Sequence, residues 1–350
     1  MKVTILILII FSIVSFAVLP EAGKKNTARF SLPFHPTPLQ LKIPPGWPKP
    51  PANIFANNPL TEEGFQLGRK LFYDGRLSKD GNFACASCHQ QFAAYATYDH
   101  DLSHGFHDQF TTRNAPPLFN LAWATRYHWD GGVNHLEVQA LSPMTASNEM
   151  AENVDSVLKK LRKDSAYQRM FRAAFGSNII NSQRMLKALA QFVGCLVSSD
   201  SKYDKVKRGE DTFNMAEQRG YELFKLRCNS CHKEPLFTDY SFRNNGLGLN
   251  NFLKDYGRMR VTGDPRDSLK FKVPGLRNVS VTFPYMHDGR LYSLRKVIEH
   301  YSSGIQMSST LDSSLRNGIP FTTDEKDDLI YFLYTLKDTL FLKDKRFSQP

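Results

Sequence analysis

The sequence predicts a mainly α-helical protein built as two similar units with long loops. Three observations carry this. Two strings of identical form, Cys85-Ala86-Ser87-Cys88-His89 and Cys228-Asn229-Ser230-Cys231-His232, lie far apart in the chain. Each follows a stretch with helical spacing of apolar residues. Alternating apolar and polar runs of the strand type are scarce.

The elements follow in order. Val3 to Leu19 is an apolar run broken only by Thr4, Ser12 and Ser15, with Lys2 before it and Lys24-Lys25 after it. It reads as a signal peptide over 1–22, cleaved after Ala17 or Ala22, with an uncleaved N-terminal anchor as the alternative. Residues 23–52 form a Pro-rich linker or strap. Eight prolines between Pro33 and Pro51 exclude a helix or a central strand there. Thr61 to Phe72 has a capping threonine and helical spacing of Phe65, Leu67, Leu71 and Phe72. Two helical stretches follow the first string, at Asn153 to Phe175 and Ser182 to Ser199. Cys195 sits in the second and reads as a small buried hydrophobe. Phe213 to Leu226 is helical and leads into Cys228. Thr322 and Glu325 make a capping box for a last helix lined by Leu329, Phe332, Leu333 and Leu336. The units are expected at 53–205 and 206–345.

C-x-x-C-H is the attachment sequence of c-type haem. Its cysteines join the haem covalently and its histidine becomes the proximal iron ligand. Cys85, Cys88 and His89 thus form one haem site, and Cys228, Cys231 and His232 the other. Zinc is the rival for paired cysteines, but its pairs lie closer together and need no histidine after each. Two tethered haems predict two cytochrome c-like haem domains and a redox function. An exported chain suits such haems, so the expected location is the periplasm, with a membrane contact only if the leader stays uncleaved.

The 350-residue chain has a net charge of +11. Haem carboxylates would lower this to about +7. A basic surface attracts an acidic redox partner or an anionic membrane, and is otherwise simply solvated. No dense Lys/Arg block marks a nucleic-acid partner. Homodimer formation is left open.

Further strings carry a resemblance. They are Arg113-Asn114-Ala115-Pro116, Trp129-Asp130-Gly131-Gly132, Gln139-Ala140, Pro143 and Glu149-Met150. After the second haem string come Pro274-Gly275-Leu276-Arg277-Asn278-Val279 and Pro284-Tyr285-Met286-His287-Asp288-Gly289. In order and spacing, from about Asn58 to Lys337, the chain resembles the bacterial di-haem cytochrome c peroxidase and MauG family.

A peroxide-cleaving iron needs an open face and a group that moves a proton between the two oxygens. The resemblance implies that Glu149 is this group, with Gln139 beside it. From residues alone, Glu149 is a helix-start charge. The resemblance also implies that Trp129 stands between the haems, where a lone tryptophan otherwise reads as core. Asp130 and Gly131 would hold its loop. Among His100, His104 and His107, the family's loop ligand, which leaves the iron to open it, aligns with His104. The sixth ligand of the second haem aligns with Tyr301, as in MauG, where the peroxidases use methionine. Met286 and His300 are its rivals. A calcium ion would be held by Asn114, Thr282 and Pro284.

The function so implied is reduction of hydrogen peroxide to water, with electrons from a small exported cytochrome c or copper protein. The 53–205 unit would be peroxidatic and the 206–345 unit would transfer electrons. The alternatives are a MauG-like oxidase that modifies a partner protein, favoured by Tyr301, and a non-catalytic electron carrier.

Overall fold

Helix ends explain where the chain changes direction in the computed structural model, which describes residues 34–350. The leader, and residues 23–33 of the expected linker, lie outside the described residues. Helix α1 (Glu62–Phe72) begins where Thr61 accepts a hydrogen bond from the Gly64 amide. Its first turn is acidic and its last turn basic, which suits the helix dipole. The first C-x-x-C string is itself a single turn, α2 (Cys85–Cys88). After α3 (Leu141–Thr145) come α4 (Val154–Arg162) and α5 (Ser165–Phe175). The sequence pattern suggested one stretch here. Asp164 divides it, because its side chain accepts from the Ala166 amide and starts a new helix.

Helix α6 (Ser182–Gly194) stops short of the expected Ser199. The amides of Ser198, Ser199 and Asp200 turn instead to the side chains of Asn120 and Asp338. Then follow α7 (Lys202–Lys207), α8 (Met215–Arg227), α9 (Met259–Thr262), α10 (Leu294–Ser303), α11 (Thr323–Tyr334) and α12 (Thr339–Lys343). The Thr322–Glu325 capping box is formed. Among the described residues, strands form one antiparallel pair, β1 (Phe242–Arg243) and β2 (Phe271–Lys272), with Phe242 opposite Lys272.

Two helix crossings share one construction. In α1, a Cβ on Gly68 would overlap the Ala188 carbonyl of α6 and press on Phe192. In α8, a Cβ on Gly220 would overlap the Asp328 carbonyl of α11 and press on Phe332. Each crossing therefore requires glycine, and in each the glycine lies on the helix that precedes a C-x-x-C-H string. One core gathers around Phe65, Phe72 and Phe192, the other around Phe224, Phe237 and Phe332.

The Pro-rich segment is a strap held against the body. Leu39 donates to the Leu60 carbonyl and the Glu62 amide to that of Thr37. Trp47 packs edge-on against Trp123, whose Nε1 donates to the Pro48 carbonyl at 2.7 Å. Arg277 is fully buried, forks onto Asp204 and lies over the Trp47 ring. The C-terminal tail returns to the first core. Phe341, Leu342 and Phe347 belong to it, and the hydroxyls of Tyr73 and Tyr95 both donate to the Phe347 carbonyl.

Candidate active site

The loop after α2 turns His89 so that its Nδ1 lies 2.8 Å from the Tyr95 carbonyl. The N–H donated there fixes the tautomer and leaves Nε2 free to bind a metal. Desolvation pushes His89 down to about 4, so the ring is neutral at physiological pH. Enclosure pushes the Cys85 thiol up to about 12. These walls disfavour thiolate, the form zinc needs, and suit a neutral thioether. A cavity opens beside these three residues and is mostly apolar, with Phe72, Leu136 and Leu189 among its walls. Its apolar lining, paired cysteines and oriented histidine fit a covalently held haem.

Glu149, Gln139 and His104 line this same cavity. Burial raises the Glu149 carboxyl above its ordinary value. Among the described residues none hydrogen-bonds that carboxyl. The His104 loop is clamped to the Glu149 segment. Phe106 donates to the Glu149 carbonyl at 2.7 Å, and a Cβ on Gly105 would overlap the Asn148 carbonyl. His104 Nδ1 meets Asp108 Oδ1 at 2.6 Å, which leaves its Nε2 for the cavity. The other two loop histidines are not among the cavity walls. His100 turns to the Tyr98 carbonyl and His107 stacks on Phe106.

A second cavity is lined by Gln139, His128, Trp129, Tyr240 and Lys272. Trp129 and Lys272 also line a third, larger cavity, which holds Cys228, Cys231 and His232. The tryptophan thus touches both spaces. Its Nε1 donates to the Asn114 carbonyl at 2.9 Å. Its loop is tied down next door. Arg113 bonds Asp130 with one nitrogen and grips the buried Asp255 with two others. Gly131 has φ +72°, and a Cβ there would overlap the Phe242 ring.

In the third cavity His232 repeats the proximal arrangement, with Nδ1 3.2 Å from the Phe237 carbonyl and 3.1 Å from that of Pro274. Desolvation lowers its basicity, and pushes the Cys228 thiol up to about 12. The same fit to a covalent haem holds here. Tyr301 and Met286 both line the cavity; His300 is not among its walls. His300 Nε2 is 3.0 Å from the Asn245 carbonyl. Asn245 also donates from its side-chain amide to Met286 Sδ at 3.4 Å and lines the cavity with Tyr301. Desolvation raises the Tyr301 phenol above its ordinary value. Asn114, Thr282 and Pro284 line this cavity too. The Asn114 side chain donates from Nδ2 to the carbonyls of His100 and Asp101.

Asn245, Asp108, Asp255, His128 and Lys272 were not found from sequence. Each is ordinary in its local string, and only the fold brings it to a cavity wall or to the loop beside one. Among the described residues, no helix is long and apolar enough to cross a membrane.

Comparison with known proteins places this geometry. The family model for di-haem cytochrome c peroxidase matches residues 62–212. The chain is 37% identical over 306 residues to the methylamine utilization protein MauG of Methylorubrum extorquens, covering 85% of this chain and 83% of that one. It is 34% identical to the cytochrome c551 peroxidase of Nitrosomonas europaea, covering 81% and 82%. A crystal structure of a MauG-like protein associated with microbial copper homeostasis superposes with a TM-score of 0.82 at 33% identity, over 89% of this chain and 99% of that one. The chain belongs to the di-haem cytochrome c peroxidase and MauG family.

Proposed function

We propose that this protein reduces hydrogen peroxide to water at the Cys85–Cys88 site, with electrons received through the Cys228–Cys231 site. The observation that carries the reading is the company Glu149 keeps. A buried carboxyl with a raised pKa lines the same cavity as Cys85, Cys88 and His89, with Gln139 beside it. An electron carrier needs no such group.

The reaction consumes two electrons and two protons per peroxide and yields two waters. Bound haem supplies the iron that takes up peroxide and passes it electrons. Glu149 removes a proton from the near oxygen and returns it to the far one, so that water and not hydroxide leaves. Gln139 orients the substrate and carries no proton. His89 would hold the iron through Nε2. His104, whose Nδ1 is taken by Asp108, would be the switch ligand that leaves to admit substrate. Trp129, lining the spaces on both sides, lies on the electron's way.

The donor we infer is a small cytochrome c or copper protein. The basic chain favours an acidic one. The two-unit division at 53–205 and 206–345, the periplasmic setting and one calcium on Asn114, Thr282 and Pro284 belong to the same reading. Oxygen donors of that kind suit calcium.

A second reading, a MauG-like oxidase acting on a partner protein, is favoured by Tyr301 lining the second haem's cavity. Peroxide consumption by the two-haem protein, followed with a chemically reduced cytochrome or copper-protein donor, tests the main reading. Turnover is expected at two donor electrons per peroxide. Peroxide loss no faster than in Glu149→Gln would overturn it.

A further inference from the structure

Lys272 is a cation at the junction of the cavities with no anion of its own. It sits in β2, and its amide donates to the Trp129 carbonyl at 2.7 Å. Its side chain walls both the middle cavity and the large one. Nζ donates to the Arg126 carbonyl at 2.9 Å, and no described carboxylate lies within ion-pair distance of it. Asp130 acts on it through space, but the oxygens of Asp130 are taken by Arg113 and the Gly132 amide. Desolvation pulls the ammonium down to about 8.

Lys272 is half-buried, and its head group stands in the cavity space without a carboxylate partner. A lysine that only covers apolar surface sends its head to bulk water. This one turns its head to a carbonyl at the cavity wall. Among the described residues, no other lysine or arginine lines the first or the middle cavity. In the third, Arg243 is held by Asp239 and Asp312, and Arg227 is exposed at the rim.

We propose that Lys272 is the shared counter-ion for haem carboxylates where the two haem sites meet, and that its charge sets both haem potentials together. The inference rests on the two-haem assignment and not on the peroxide chemistry. A positive charge near an iron favours the reduced state. Removing it, and leaving a haem carboxylate uncovered, favours the ferric state.

The test is a spectroelectrochemical titration of the two-haem protein without peroxide, after a pyridine haemochrome assay has counted two haems. Lys272→Met should lower both midpoint potentials, and Lys272→Arg should leave them near the wild-type values. Unchanged midpoints in Lys272→Met would overturn the proposal. So would a fall confined to one haem, or an equal fall in Lys272→Arg. Should the Met variant fail to mature, Lys272→Gln takes its place with the same two readings. A haem count below two in the wild type would refute the two-haem assignment instead, so the two failures are distinct.

Discussion

Glu149 and Tyr301 are both single side chains whose chemistry is set by what encloses them. Burial raises the Glu149 carboxyl above the ordinary glutamate value of about 4.3. The ionised form, which accepts the substrate proton, is therefore lost as pH falls through a value above that. The acid limb of kcat/KM for peroxide should lie above the ordinary glutamate range. Glu149→Gln should remove the limb and slow turnover by about 100-fold or more. A pH–rate series on both proteins checks this, and an unchanged limb in the variant would exclude Glu149 from the proton transfer. For Tyr301, desolvation disfavours the free phenolate, so ionisation has to come from a bound cation such as ferric iron. Tyr301→Phe should change the ferric spectrum of the second haem, and Met286→Ala should not. The reverse result would give the ligand position to Met286. At this scale the sequence was legible where a string is self-announcing. C-x-x-C-H names its cofactor. It took the resemblance to raise Glu149 above a first-turn charge, and the fold to separate His104 from His100 and His107. Asn245 carries no local signal at all, because its meaning comes from touching Met286 and His300, which lie elsewhere in the chain.

The paired crossings of α1 with α6 and α8 with α11 make a sharp case at the scale of elements. Glycine inside a helix normally costs about 1 kcal/mol against alanine. By propensity alone Gly68→Ala and Gly220→Ala should stabilise. The structure reverses the sign, because the added methyl would overlap a backbone carbonyl on the facing helix, which has no rotamer to yield. Forcing the helices apart should cost about 1–3 kcal/mol or more. Denaturant unfolding of each variant reads the net effect, and a stabilised Gly220→Ala would refute the close crossing. The helices themselves were legible from spacing and caps: Thr61, Thr322 and Glu325 act as expected. The partners of each helix were not, since α1 and α6 are joined by residues more than a hundred positions apart. The division at Asp164 was missed because apolar spacing continues across it, while the cap that restarts the helix is a single side chain.

For the molecule as a whole, the last residues matter more than their position suggests. A chain ending at Asp338 would lose Phe341, Leu342 and Phe347 from the first core, along with the acceptor for both Tyr73 and Tyr95. Large apolar side chains removed from a core cost about 2–5 kcal/mol each, against a total stability of about 5–15 kcal/mol. Hydrogen exchange of the truncated protein should show α1 and α6 loosened while α8 and α11 keep their protection. Equal protection in both pairs would show the tail to be dispensable. Nothing in the terminal sequence declares this destination, because the apolar residues of a tail fit either core equally well on paper.

The returning tail also imposes a chronology. Phe347 follows Cys85 and Cys88 by more than 250 positions, yet it belongs to the core against which Cys85 packs. That core cannot close until the tail has docked, so the first haem site is complete only after distant parts of the chain have met.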